Sequence, residues 1–267
     1  MLVWSRSGRA AIWAFGALLI GLVYGAPVLV IGFASIAGHW NGVWPSDFTL
    51  RHYADAMRGA SGRELWASFV TGVIASGLAM VSGTCAALGL RHVVGLSRRW
   101  LDLGFFAPSA VPSVSVGLGL LVAFSKPPVL LNGTTAIIII AHFVLISAFT
   151  YGAVSAGLAR LAPEFEQIAE SLGARPSYRL RRVTLPLLAP YLVAAFSLSF
   201  ALSMGELGAT VMVYPPGWVT LPVGIFALTD RGAVFNGAAL TMVLIAATLL
   251  VLGALSWVAN RFAPRSA

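Results

Sequence analysis

The chain has 267 residues, 58% of them apolar and 10% charged, with a mean hydropathy of +0.88. That composition excludes a water-soluble globular protein, because apolar runs of 20 or more residues recur along the chain and each can cross a ~30 Å hydrocarbon core as a helix. The net charge of +8 reads as arginine collected in loops on one side of a membrane rather than as a nucleic-acid surface.

Six spans are predicted, giving an all-α, polytopic membrane protein with a single transmembrane domain over residues 1–267. The first, Ala10–Ala37, follows Arg6 and Arg9. It exceeds the ~7–15 residue apolar region of a cleaved signal peptide and is expected to be retained. The segment after it, Gly38–Glu64, carries Trp40 and Trp44, which suit the headgroup zone, and a short amphipathic pattern within His39–Gly59. The second span, Leu65–Leu90, holds the only cysteine, Cys85, expected to be a small buried residue. No disulfide can form within the chain.

In the third span, Leu103–Phe124, Pro108 and Pro112 are expected to bend the helix and expose Ser109, Ser113 and Ser115. The other reading of that span is an ordinary kinked packing helix. The fourth, Thr135–Ala156, contains His142, expected to be a packed interface histidine rather than a ligand. The fifth, Leu187–Val213, contains Glu206, the only acidic residue placed inside a span and flanked by Gly205 and Gly208. As a straight helix it would carry Glu206 close to the outer edge of the hydrocarbon core. Glu206 is either a gate or path residue, or a structural carboxyl bonded to a neighbouring helix. A segment with Asp230 and Arg231 leads to the sixth span, Asn236–Val258.

With both termini cytoplasmic, the inside segments hold 12 of the 17 basic residues, including Arg91, Arg98, Arg99, Arg175, Arg181, Arg182, Arg261 and Arg265. The outside segments hold five: Arg51, Arg58, Arg63, Lys126 and Arg231. That asymmetry sets the expected orientation.

Several chemistries are missing. Lys126 is the only lysine and is followed by Pro127, so no phosphate-binding P-loop exists. His39, His52, His92 and His142 lack metal-ligand spacing, and no G-x-S-x-G occurs. No enzyme activity, cofactor or metal is expected.

One stretch stands apart. Between Glu164 and Arg182 lie seven of the 26 charged side chains. Phe165, Ile168, Ala169 and Leu172 share one helix face, and Glu166, Gln167, Glu170 and Ser171 the other. Pro163 suits a helix start and Gly173 the position just past a helix end. A second short helix is expected over Ser177–Val183, followed by Pro186 and Pro190. By composition alone this would be an amphipathic loop on anionic lipid.

The order of residues resembles the cytoplasmic loop of binding-protein-dependent ABC importer permeases, E-A-A, three residues, G, nine residues, I-x-L-P. Gln167, Ile168 and Ala169 fill the first three places, then come Gly173, Val183, Leu185 and Pro186. Gln167 and Ile168 depart from the pattern, and Glu166 stands one place early. In that family the loop, here about 157–186, is a coupling helix docked on a separate ATPase subunit. The resemblance implies Glu166, Gln167, Ala169, Gly173, Leu185 and Pro186 as coupling residues.

The likeness extends over nearly the whole chain. Leu101–Ser125, Ala141–Tyr151 and Ser203–Leu244, with YPPGWVTLPV and LTDRG, look like permeases of 2-aminoethylphosphonate importers. The partners so implied are an ATP-binding subunit, a second permease, a periplasmic binding protein and the lipid of a bacterial inner membrane. The second permease would be a different chain by the resemblance, while the residues leave homodimer and heterodimer open. Glu206, Ser113 and Ser115 are the candidates for the path or gate. Two alternatives stay open: the same machine for iron(III) or a polyamine, and a self-contained secondary transporter.

Overall fold

The computed structural model describes residues 5–91 and 93–262. His92 and Arg265 lie outside these residues, as do the side chains of Arg6 and Arg261. In chain order the helices are α1 (Arg6–Ile20), a π turn (Gly21–Gly25), α2 (Ala26–Ile36), α3 (Arg51–Arg58), α4 (Ser61–Leu90) and α5 (Leu96–Phe106). A 3-10 turn (Ala107–Ala110) leads to α6 (Ser113–Ala123), α7 (Thr135–Arg160), α8 (Glu164–Ser171) and α9 (Pro176–Arg179). A second π turn (Leu180–Thr184) precedes α10 (Leu185–Met204), α11 (Gly208–Val213), α12 (Leu221–Asp230) and α13 (Val234–Phe262). Among the described residues, five helical stretches are long and apolar enough to cross a membrane, and a bent pair adds a sixth if it is counted as one span.

The differences from the expected spans lie at helix breaks. The third span is a bent pair, Leu96–Ala110 and Ser113–Ala123, turned through 99°. Val111 is extended at φ −95 and ψ 134, as the residue before a proline prefers, because the Pro112 ring excludes the helical region there. The fifth span does not run to Val213. It stops at Met204, and Glu206 sits in a non-helical link before α11. The expected second short helix is not separate either: α9, the π turn and α10 form one stretch, Pro176–Met204. The π turn ends two residues before Pro186, whose missing N–H and ring would disturb a regular helix around Arg182. The segment before the last span, expected as a connection, contains α12. Cys85 is exposed, not buried. Gly83 and Ala87 of α4 are four residues apart, share a face and are buried, so the residue midway between them turns outward.

By its internal contacts the chain divides into two compact units. The first comprises residues to Gly62 together with Gly224–Ile245. In it His52 bridges three elements: Nε2 donates to the Ala37 carbonyl at 2.9 Å and Nδ1 lies 2.8 Å from the Asn236 side chain. The Tyr53 hydroxyl donates to Ser35 Oγ at 2.8 Å. These bonds fix α3 on the end of α2 and the start of α13.

The second unit comprises Arg63–Val223 with the chain from Ala246 onward. Its centre is α7. Ile137, Ile138 and Ala141 are buried against Ala209 and Val213 of α11. One end of α7 buries Tyr151 and Val154 against Ala87 of α4 and Ala195 of α10. Phe105 stacks on Tyr151 at 4.5 Å between ring centres, and the Tyr151 hydroxyl donates to Asp102. The backbones of α6 and α11 touch: a β-carbon on Gly117 would lie 2.6 Å from the Ala209 carbonyl oxygen. Small residues allow this approach, which is how helices gain packing energy in lipid. The segment after α11 is tied to α4, with Trp218 Nε1 donating to Thr71 at 3.0 Å and the Leu221 N–H to Ser68 at 2.8 Å.

Candidate functional site

The charged stretch forms α8 and the turn after it. Pro163 occupies the N-cap and Glu164 and Glu166 fill the first turn, where negative charge is favoured by the helix dipole. The helix ends in a Schellman motif: Gly173 N–H bonds to the Glu170 carbonyl at 2.9 Å and Ala174 N–H to the Ala169 carbonyl at 3.0 Å. That geometry needs a left-handed residue, and Gly173 has φ +81.

Most of α8 is exposed, its apolar face as well as Gln167, Glu170 and Ser171. Its apolar residues Phe165, Ile168 and Leu172 are 53%, 58% and 81% exposed. Glu166 and Ala169 point toward the body of the unit and are partly covered, while Gln167 is exposed. Glu166 is gripped there. Arg91 donates from Nη1 to Oε1 at 2.8 Å and from Nη2 to Oε2 at 2.5 Å, and Thr184 donates to Oε1 at 2.6 Å. The hydrogen bond from Arg91 is the main reason the Glu166 carboxyl is held down to about 2, against an upward push from partial burial. The same bond raises Arg91. A second pair, Glu170 with Arg179 at 2.5 Å, closes the turn from its other side. Between α8 and the ends of α7 and α10 lies a cavity of 440 Å³ whose lining includes Arg91, Gln167, Arg179, Thr184 and Leu187. Of the remaining sequence candidates here, Leu185 is partly buried and Pro186 exposed at the start of α10.

A second cavity, of 200 Å³, lies at the two helix breaks. Pro108, Ser109, Val111 and Ser113 line it from the bent third span, His142 and Phe149 from α7, and Ser203 and Glu206 from the end of α10 and the link after it. The structure therefore brings Ser113 and Glu206 together. Ser115 is exposed on α6 and does not line this cavity. Glu206 Oε1 accepts the Ala209 N–H at 2.7 Å, capping α11. His142 is buried, with Nδ1 2.6 Å from Ser203 Oγ and Nε2 2.8 Å from Thr210 Oγ1. Thr210 donates at 3.4 Å to the Glu206 carbonyl. His142 is thus a packed histidine, as its sequence context suggested.

Sequence reasoning missed Arg91 and Thr184 as partners of Glu166, and Ser203 and Thr210 as partners of His142. No spacing relates Arg91 to Glu166, 75 residues apart. Ser203 and Thr210 carry no signal beyond being hydroxyls in an apolar run.

Long apolar helices, two breaks around a cavity that mixes apolar walls with Ser109, Ser113, His142, Ser203 and Glu206, and a short helix with exposed apolar residues define a polytopic membrane protein. The family described as binding-protein-dependent transport system inner membrane component matches residues 75–266, and the chain belongs to it. It is a multi-pass inner-membrane permease subunit. A Salmonella paratyphi A protein named 2-aminoethylphosphonate transport system permease protein PhnV is 54% identical over 98% of both chains. The putrescine transport system permease protein PotI of Escherichia coli is 28% identical over 92% of this chain and 89% of its own. A crystallised bacterial alginate ABC transporter in complex with an alginate pentasaccharide-bound periplasmic protein matches with a TM-score of 0.75 at 16% identity, covering 96% of this chain and 95% of the other. That last likeness establishes the fold.

Proposed function

We propose that this chain is the permease subunit of an ATP-driven importer that moves 2-aminoethylphosphonate into the cytoplasm. The observation that carries the substrate is the 54% identity, over 98% of both chains, to a relative named for that system. The likeness to the putrescine permease is about half as high. In this reading a separate subunit hydrolyses ATP, a second permease, identical or different, completes the path, and a periplasmic binding protein delivers the solute. The arginine asymmetry supports an orientation with both termini and α8 on the cytoplasmic side.

The exposed Phe165, Ile168 and Leu172 form the face that docks on the ATPase. Gln167 borders that face and Ala169 seats the helix. Gly173, with Leu185 and Pro186 beyond it, joins α8 to the long helix of the fifth span. Glu166 acts from the inner side of α8 rather than at the docking surface. Ser113 and Glu206 line the route for a small zwitterion, with Ser115 farther along α6.

Growth and uptake test the substrate. A strain whose sole phosphorus source is 2-aminoethylphosphonate, and which has no other uptake route, stops growing when this chain is deleted. Loss of iron or polyamine uptake with phosphonate uptake intact overturns the assignment. Uptake that persists without the ATPase subunit favours a self-contained transporter instead. Reporter fusions at Ala174 are expected to read cytoplasmic and fusions near Trp218 external.

A further inference from the structure

Three segments distant in sequence meet on one carboxylate. Glu166 of α8 receives both arms of the Arg91 guanidinium, at 2.8 and 2.5 Å, and the Thr184 hydroxyl at 2.6 Å. Arg91 directly follows α4, and Thr184 directly precedes α10. A planar guanidinium that bonds both carboxylate oxygens fixes orientation as well as distance. The other ion pair of α8, Glu170 with Arg179, reaches only the next helix of the same loop. The Arg91 fork therefore ties α8 to a helix outside its own loop.

The other bonds described for α8 hold it within its own loop: the Schellman turn at Gly173 and Ala174 and the Glu170–Arg179 pair. Its N-cap, Pro163, offers no side-chain cap bond. Beyond its C-terminus, the space around Gly173 is open within 4 Å of where a β-carbon would stand. None of these bonds reaches α4.

We infer that Arg91 is the positioning residue of the coupling element. It clamps α8 to the end of α4, so that a push on the exposed apolar face moves α4 as well as α7 and α10. The inference rests on the proposed role of α8 in docking the ATPase.

The test uses the assembled transporter in proteoliposomes, with ATP hydrolysis and 2-aminoethylphosphonate uptake measured on the same vesicles. Arg91→Gln and Glu166→Gln are expected to keep the ATPase subunit bound and hydrolysing. Uptake per ATP falls about tenfold, the scale of one lost charge-assisted hydrogen bond. Arg91→Lys, which keeps charge but not the fork, falls between, and the exchange Arg91→Glu with Glu166→Arg restores part of the loss. An unchanged ratio of uptake to hydrolysis in Arg91→Gln overturns the clamp.

A second measurement leaves Arg91 in place, in case its variants do not assemble. In a Cys85→Ser background, spin labels at Gly89→Cys and Gln167→Cys report the distance between α4 and α8. The clamp requires one narrow distance that is the same with and without trapped ATP. A shift on ATP trapping overturns it. Phe165→Asp with Ile168→Asp separates the two ideas. If this pair leaves the ATPase bound and coupled, the docking role of α8 fails and the clamp falls with it. If the pair abolishes docking while Arg91→Gln couples normally, only the clamp fails.

Discussion

His142 Nδ1 lies 2.6 Å from the Ser203 hydroxyl, joining α7 to α10 beside the cavity at the helix breaks. In lipid such a bond stabilises by an average of about 0.6 kcal/mol and at most ~1.7 kcal/mol, because the unfolded chain in the membrane also finds partners. A double-mutant cycle of His142→Ala and Ser203→Ala, read from thermal denaturation in detergent, is expected to give a coupling energy in that range. A coupling near zero would show that the bond is idle and that the two residues merely pack.

Glu206 does two things that can be separated. Its Oε1 caps α11 through the Ala209 N–H at 2.7 Å, and the residue lines the cavity. Glu206→Gln keeps an oxygen for the cap but loses the charge, whereas Glu206→Ala loses both. The alanine variant is expected to lose about 1 kcal/mol of stability, the usual cost of a missing cap. The glutamine variant is expected to fold and assemble normally while uptake falls. Normal uptake in Gln with low abundance in Ala would mark the residue as structural only.

Gly173 is left-handed at φ +81 with nothing within 4 Å of a prospective β-carbon. Substitution there costs conformational strain rather than a clash, about 1–2 kcal/mol for an ordinary residue. Asn, which tolerates this region, is expected to retain most transport. Val and Asp are expected to impair co-purification with the ATPase and uptake together, while the protein still inserts. Equal activity of Asn, Val and Asp would remove the Schellman turn from the coupling mechanism.

The grip on Glu166 has a pH signature. Its carboxyl titrates near 2 in the folded protein, chiefly because of the Arg91 hydrogen bond, against ~4.3 in an unfolded chain. A depressed folded value means the stabilisation is complete above the unfolded value and is lost as pH falls toward the folded one. The melting temperature of the wild type is therefore expected to drop between about pH 4.3 and 2 by more than that of Glu166→Gln. Parallel curves for the two proteins would show that the fork contributes nothing to folding.

Helix lengths were legible because lipid accepts only long apolar runs with paired backbones, and hydropathy reports that demand. The breaks were legible only in part. Pro112 announced the bend in the third span, but the link at Gly205 to Leu207 sits inside an apolar run. Its backbone is satisfied locally, by 3- and 4-residue bonds and by the Glu206 carboxyl on the Ala209 N–H, a detail that hydropathy cannot express. Periodicity identified the apolar face of α8, yet it does not say which face turns outward. That depends on Arg91, whose partnership with Glu166 exists only once α4 and α8 are side by side. Cys85 was misjudged because hydrophobic neighbours in a membrane helix can mean lipid as readily as protein.

The 30 residues of α4 make a rod of about 45 Å at 1.5 Å per residue, well beyond a ~30 Å hydrocarbon core. Such a rod is a lever. If its far end stays fixed, a tilt of about 10° sweeps the Arg91 end through roughly 8 Å. Run in reverse, a displacement of that size at α8 becomes only a slight rotation among the spans. With α8 clamped to Arg91 as proposed, the length of α4 would set a gear ratio between a large movement outside the bilayer and a small one within it, where close-packed helices can rotate only a little without losing contact.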